Sequence, residues 1–151
     1  MVRHVPKCLF CDVARGNARS HLVIEDDLAM AILDPFPIRA GHTLIISKTH
    51  YSCFDELPDD ALIQTGRLAQ RIARVMKQRY GVARVAFFFA GTQIDHAHAH
   101  LVPMHDDTDL TSRRYIAEES LTFRGVPREN DASLVETARY MCQALQYHVT
   151  R

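Results

Sequence analysis

The protein is a chain of 151 residues, 47% of them hydrophobic, which is enough to bury a substantial core in one domain. Its 18 lysines and arginines balance 18 aspartates and glutamates. A formal charge of zero provides no broad basic surface for a phosphate backbone, which disfavours nucleic acid as a partner. Because the start of the chain carries no apolar signal region and no segment approaches the roughly 20 apolar residues of a membrane span, we expect a cytoplasmic protein with no membrane partner.

The first part of the chain predicts three antiparallel strands in a meander. Residues 22–25 and 28–33 flank a short acidic turn, which is the pattern of a hairpin. Pro35 and Pro37 follow, and they end the second strand because proline lacks a backbone donor. Residues 42–46 then predict a third strand.

A long amphipathic helix is predicted between Pro58 and Gly81. Apolar residues recur there at three- and four-residue steps, while most basic residues fall off that stripe. The helix has about six turns and ends at Gly81. The predicted apolar stripe comprises Leu62, Ala69, Ile72, Ala73, Met76 and Tyr80.

The second half of the chain predicts two more strands, residues 82–90 and 96–103, which meet across a turn at Gly91. A second helix follows at about residues 131–148, where apolar residues again have helical spacing. We therefore predict an α+β fold with an antiparallel sheet of about five strands, one long helix and a C-terminal helix, with the helices on one face. Because no linker or repeat divides the sequence, we expect residues 1–151 to form a single domain.

Three histidines alternate with alanines in the last predicted strand. Side chains in a strand alternate between faces, so His96, His98 and His100 point the same way at intervals of about 6.6 to 6.8 Å. The row spans about 13 Å, which is too long for all three to reach one metal ion. Imidazole serves both as a metal ligand and as a nucleophile, and the spacing alone does not decide between them. A straight strand nevertheless favours a nucleophilic central histidine flanked by two donors.

The run from His96 to Val102 resembles the signature of the histidine triad (HIT) family, in which three histidines alternate with hydrophobic residues. Upstream segments resemble the bacterial Hint-like branch, which carries an N-terminal Cys-x-x-Cys. These segments are Cys8–Asp12, Glu25–Asp27, Leu33–Asp34 and Ala40–His50. The resemblance covers about residues 7–104 and implies a HIT-like fold and a homodimer that pairs two sheets.

The resemblance also implies a reaction. His98 is the nucleophile at the α-phosphate of a purine nucleotide and forms a nucleotidyl-histidine intermediate that water hydrolyses. His100 donates a hydrogen bond to the phosphate and helps to protonate the leaving group. The implied nucleotide-binding residues are Leu9, Phe10, Ile32 and Asp34 for the nucleoside, with Gly91, Thr92 and Gln93 placed to stabilise phosphate oxygens. The substrate is either an AMP-type phosphoramidate or a dinucleoside polyphosphate, and the sequence does not separate the two.

Cys8 and Cys11 have the spacing of a zinc knuckle, but no second cysteine pair completes four ligands. The alternative is two buried thiols or a redox pair. The sequence resembles bacterial HIT proteins and the related galactose-1-phosphate uridylyltransferases, and this resemblance implies a structural zinc ion held by Cys8, Cys11, His50 and His96. Cys53 and Cys142 stand alone in apolar segments, where we expect small buried hydrophobic residues.

The sequence departs from the family in ways that bear on turnover. Val85 and Phe87 stand in a segment where members often have Asn-x-Gly, Thr92 displaces the usual glutamine, and Met104 replaces a polar residue. Two other functions therefore stay open. One is a nucleotide-binding module with little turnover, and the other is a zinc-binding protein without nucleotide activity, which would hold more than one zinc ion per chain.

Overall fold

The computed structural model describes residues 8–91, 93–110 and 126–147. Within these ranges the chain forms three α-helices, five β-strands and a short 3-10 helix at Phe54–Glu56. In chain order the main elements are α1 (Leu9–Ala14), β1 (Leu22–Glu25), β2 (Ala29–Leu33), β3 (Thr43–Ser47), α2 (Asp59–Tyr80), β4 (Arg84–Phe89), β5 (His98–Met104) and α3 (Asp131–Tyr147). None of these described helices is long and apolar enough to cross a membrane.

The five strands form one sheet in the order β1-β2-β3-β5-β4. Every neighbouring pair is antiparallel, and β5 lies between β3 and β4. The predicted meander of the first three strands, the five-stranded antiparallel sheet and the α+β class are confirmed. The order leaves β4 at one edge of the sheet.

Both faces of the sheet are covered at β2 and β3, whose residues are all buried. On one face Ala31, Leu33 and Ile45 share an apolar cluster with residues of α2 and α3. On the other face Ile32 and Leu44 pack against residues of α1. The sequence did not predict α1, because six residues are too few to show a helical period. The prediction that the helices cover one face of the sheet holds for α2 and α3. It fails for α1, which packs on the opposite face.

The long helix α2 ends where the sequence predicts. Gly81 adopts a left-handed conformation with a φ of 65°, and its N–H donates to the carbonyl of Lys77. The predicted stripe is wrong at Leu62, which is 40% exposed. Ala61 and Thr65 face the core there instead, since the true stripe runs one residue earlier in the first turns.

The histidine strand begins later than predicted. β5 starts at His98, and the N–H of Ala97 donates to the carbonyl of Tyr51 outside the sheet ladder. His98 and His100 therefore share one face of β5, with ring centroids 5.0 Å apart. The prediction that all three histidines project from one strand was wrong for His96.

The C-terminal helix is confirmed as α3, and it packs on the same core as α2. Its buried residues Leu134, Ala138, Met141 and Leu145 belong to the cluster that includes Leu68 and Ile72 of α2. The single domain over residues 1–151 stays a prediction.

Replacing Gly41 with alanine tests the packing behind the segment that leads into β3. Gly41 has a φ of +89°, and an added Cβ would collide with the ring and hydroxyl of Tyr80. Gly16 has a similar φ of +76° with no described atom within 4 Å of an added Cβ, so it is a matched control for backbone strain. We expect Gly16→Ala to lower the free energy of unfolding by about 1 kcal/mol and Gly41→Ala by about 2 kcal/mol more. Urea denaturation measures both changes, and equal losses would contradict the collision.

Candidate functional site

The orientation of His98 is set by the backbone of its own chain. Its Nδ1 lies 2.6 Å from the carbonyl oxygen of His96. Because a carbonyl only accepts, Nδ1 carries the proton and the lone pair of the neutral ring is on Nε2. Nε2 faces Gly91, where an added Cβ would come within 2.9 Å of it. The unprotonated Nε2 of the neutral His98 ring therefore lies against Gly91, where a larger side chain would collide with it. Gly91 also has a φ of +114°, which glycine adopts more readily than other residues.

A chain of hydrogen bonds places the proton of the neutral His100 ring on Nε2, the nitrogen that faces away from His42. The N–H of Ile38 donates to Nδ1 of His42 at 3.2 Å, so Nε2 of His42 carries a proton. That Nε2 donates to Nδ1 of His100 at 3.0 Å. His100 then donates from its Nε2 to the carbonyl of Ala90 at 3.2 Å. The ring also stacks on Phe88, with centroids 5.0 Å apart and an angle of 8°.

His42 is a member of this arrangement that sequence reasoning missed. It is only 3% exposed, and burial followed by the neighbouring His100 lowers its pKa to about 4. Burial likewise lowers the pKa of His100. The two rings are neutral at physiological pH in the free protein. A side chain 58 residues away from its partner gives no signal in local spacing, and the pair forms because β3 pairs with β5.

The residues predicted to bind zinc lie together. One ligand atom from each of Cys8, Cys11, His50 and His96 lies within 4.8 Å of all the others. Nδ1 of His96 is 3.3 Å from the sulfur of Cys8 and 3.6 Å from that of Cys11, and Nδ1 of His50 is 3.4 Å from Cys11. Burial and the adjacent Cys8 raise the pKa of Cys11 to about 11.

The tautomer of His96 suits a metal ligand. Its Nε2 donates to the carbonyl of Ser47 at 2.8 Å, which leaves the lone pair on Nδ1, directed at the two thiols. Two sulfurs and two imidazole nitrogens at these separations match a closed tetrahedral zinc site with bonds of about 2.0 to 2.3 Å. His96 is 1% exposed. The donor set and the geometry both fit zinc.

The residues predicted to bind the nucleotide differ in how exposed they are. Phe10 and Ile32 are buried in the cluster under α1, and the Phe10 ring meets His98 edge-on with centroids 5.1 Å apart. Leu9 is 53% exposed. Gln93 is described, but Thr92 lies outside the described residues.

Asp34 lies next to His42, the buried member of the hydrogen-bonded His42–His100 pair. One carboxylate oxygen accepts the N–H of Phe36 at 2.8 Å, and the other is 3.5 Å from Nδ1 of His42. Burial raises the pKa of Asp34. Since His42 is neutral at physiological pH, this approach is not an ion pair, and the second oxygen has capacity for another donor.

A cavity of about 220 Å³ opens beside His98. The loop after β3 contributes Cys53, Phe54 and Asp55, and Gly91 follows β4 on another side. No pattern in the sequence indicated that this loop lies at the site. The prediction that Cys53 is buried was wrong, since its side chain is exposed, and Cys142 is only partly buried.

Comparison with known proteins identifies the family. The HIT domain family matches residues 15–107. An uncharacterized HIT-like protein of Methanocaldococcus jannaschii is 33% identical over 103 residues, which make up 66% of this chain and 80% of that protein. The adenosine 5′-monophosphoramidase of Saccharomyces cerevisiae is 35% identical over 101 residues, 66% of this chain and 64% of the yeast protein. The chain belongs to the histidine triad (HIT) family.

A solved structure supports the same fold. A zinc-bound histidine triad family protein from Mycobacterium smegmatis matches with a TM-score of 0.73 and 27% identity, over 95% of this chain and 96% of that one. Membership in the HIT family is thus confirmed, and the Cys-x-x-Cys pair is present. The bacterial Hint-like branch stays a prediction, because the similar proteins come from widely separated organisms.

The buried His42 predicts a loss of stability in acid. Its pKa is about 4 in the folded chain and about 6.5 in the unfolded one, so the unfolded chain binds a proton first as the pH falls. The stabilisation is complete above pH 6.5 and is lost as the pH falls toward 4. Between pH 7 and 4.5 we expect His42 to account for about 2 to 3 kcal/mol of the loss.

Chemical denaturation of His42→Gln and the parent at both pH values measures this contribution. The variant should lose less stability in acid than the parent does. His105→Gln, which alters an exposed histidine, is the matched control and should keep the parent dependence. An unchanged acid loss in His42→Gln would contradict the assignment.

Proposed function

We propose that this protein is a nucleotidyl hydrolase or transferase that acts at the α-phosphate of a purine nucleotide through a covalent intermediate on His98. The observation that carries the proposal is the 2.6 Å hydrogen bond from Nδ1 of His98 to the carbonyl of His96. It leaves Nε2 unprotonated and pre-oriented, which is what attack on phosphorus requires. Similarity to the yeast adenosine 5′-monophosphoramidase supports AMP as the retained half of the substrate.

The reaction has two steps in this proposal. Nε2 of His98 bonds to the α-phosphorus while the bond to the leaving group breaks, and the electron pair departs with the leaving atom. Water then attacks phosphorus, the bond to Nε2 breaks, and the free nucleotide is released. Splitting the displacement in this way replaces one difficult step with two easier ones.

His42 and His100 supply the proton that the leaving group takes up. The neutral pair has only one N–H on its outer side, at Nε2 of His100, so it must take up one solvent proton before it can protonate a leaving group. The phosphate anion of a bound substrate favours that uptake. His100 then gives its outer proton to the leaving atom. The attacking water returns one proton to the pair in the second step.

We propose that the nucleoside binds on the α1 side of His98. Leu9 offers exposed apolar surface there, and Phe10 and Ile32 form the layer beneath it. The carboxylate oxygen of Asp34 that accepts no described N–H is available to the ribose hydroxyls. Gly91, Thr92 and Gln93 are proposed to stabilise the phosphate oxygens.

We further propose a structural zinc ion held by Cys8, Cys11, His50 and His96. When bound, zinc supplies a closed tetrahedral cross-link with no open position for substrate. The four ligand atoms already lie within 4.8 Å of one another, and a zinc-bound structure is among the similar proteins. The cross-link would hold α1 against the segment that leads into β5.

A homodimer that joins two sheets is also part of the proposal. β4 lies at the edge of the sheet, and Phe87 on this strand is 46% exposed. An open edge strand is a template for pairing with another strand. A second copy of the same strand would cover this edge.

Replacing His98 with asparagine should lower kcat by more than about a thousandfold, because the nucleophile is lost. AMP binding and folding should change little. The measurement is release of AMP from an adenosine 5′-phosphoramidate, with His105→Asn as the control for an exposed histidine. Activity within about tenfold of the parent would rule out the covalent mechanism. Quenching with labelled substrate should leave an acid-labile, base-stable label on His98.

Replacing Cys8 and Cys11 together with serine should remove zinc and lower the melting temperature by about 10 °C. Nucleotide binding should weaken, since Leu9 and Phe10 lie on the helix that the metal holds. The matched control replaces Cys53 and Cys142 with serine and should keep one zinc ion per chain by elemental analysis. A parent protein with far less than one zinc per chain, and an unchanged melting temperature in the first variant, would show that the pair are ordinary thiols.

A further inference from the structure

The cavity beside His98 is separate from the residues proposed to hold the nucleoside. Its described lining includes His98 and Gly91, and it includes none of Leu9, Phe10 or Asp34. Two groups are attached to the α-phosphorus of a bound substrate, the nucleoside and the leaving group. If the nucleoside lies on the α1 side, this cavity offers the other group a space beside His98 among the described residues.

Aromatic rings line part of the cavity. Phe54 and Phe89 lie with centroids 5.4 Å apart and their planes tilted by 34°. Phe89 packs against the small apolar cluster that includes Leu57 and Ala97. Phe54 is 53% exposed, so its ring is accessible to a ligand. These rings offer a flat apolar surface of the kind on which an organic cation or another ring packs.

The charge of the cavity is negative. Asp55 lines it, and no lysine or arginine is found among the described lining residues. Partial desolvation, and then the charges of Asp55, Glu56 and Asp95, raise the pKa of the Cys53 thiol, which lines the same space. A polyphosphate chain would place several negative charges close to these carboxylates, whereas a cationic group would be attracted.

We infer that this cavity binds the leaving group and that Phe54 and Asp55 select amine leaving groups, above all those that carry a second, cationic group, over polyphosphates. The inference rests on the proposed function and chooses between the two substrate classes that the sequence leaves open. Phe54 and Asp55 are specificity-determining residues in this account and take no part in bond breaking.

The chemistry balances with water as the only co-reactant. Nε2 of His98 forms a bond to phosphorus, and the phosphorus–nitrogen bond of the phosphoramidate breaks. The amine leaves with that electron pair and a proton from His100. Water then releases AMP from His98 and restores the proton.

Three adenosine 5′-phosphoramidates of equal length test the selection by charge. Their amines are 1,5-diaminopentane, pentylamine and 5-aminopentanoate, whose far ends are cationic, neutral and anionic. Diadenosine tetraphosphate represents the polyphosphates. We expect kcat/KM to fall in that order of charge, with the cationic substrate at least about tenfold above the anionic one and diadenosine tetraphosphate lowest.

Two variants locate the selection in the cavity. Asp55→Asn should reduce the preference for the cationic over the anionic amine by about tenfold. Asp27→Asn, an exposed aspartate in the β1–β2 turn, is the matched control and should keep the preference. Phe54→Ala should raise KM for the diaminopentane substrate about tenfold and leave the inhibition constant of AMP unchanged, because it alters only the leaving-group side.

The outcomes separate this inference from the proposed function. Turnover of all four substrates with no order by charge, or an order that Asp55→Asn does not change, overturns the inference and leaves the reaction at His98 intact. A Phe54→Ala protein with weakened AMP inhibition also overturns it, since the ring would then contact the nucleotide. No turnover of any substrate and no label on His98 would overturn the proposed function, and the inference with it.

Discussion

The hydrogen bond from Nδ1 of His98 to the carbonyl of His96 is the constraint on which the chemistry proposed for this site depends. It is short, at 2.6 Å, and it joins residues only two positions apart. The acceptor is backbone, so the orientation of the ring is set by the path of the chain into β5. Because the carbonyl can only accept, the neutral ring presents an unprotonated Nε2 without help from any other side chain.

His96 connects this orientation to the cysteine cluster. Its carbonyl faces His98, while its own ring is fixed by the carbonyl of Ser47 and directs Nδ1 at Cys8 and Cys11. A zinc ion in that cluster would therefore stabilise His96, whose carbonyl orients the ring of the proposed nucleophile His98. The proposed zinc site and the proposed nucleophile are thus linked through one residue, His96.

The sequence predicted the features that depend on local period and missed those that depend on distant packing. Short apolar runs between turn residues predict the first three strands, and apolar residues at three- and four-residue steps predict α2 and α3. The structure confirms all five elements. The alternation of histidines suggested a strand from His96, but His96 precedes β5 and turns toward the cysteines. His42 was missed because its partner His100 is 58 residues away and reaches it only through the pairing of β3 with β5. Cys53 was wrongly expected to be buried, since an apolar segment alone does not tell which loop side chain faces solvent.

The tautomer of His98 is the most direct test of the central claim, and nitrogen NMR of histidine-labelled protein measures it. Spectra of the parent and of His98→Asn identify the resonances of this ring. We expect the proton of the neutral His98 ring to lie on Nδ1 and the lone pair on Nε2, with the bond to the His96 carbonyl intact. A ring protonated on Nε2, or one that exchanges equally between the two tautomers, would contradict the account, because no fixed lone pair would then face the substrate.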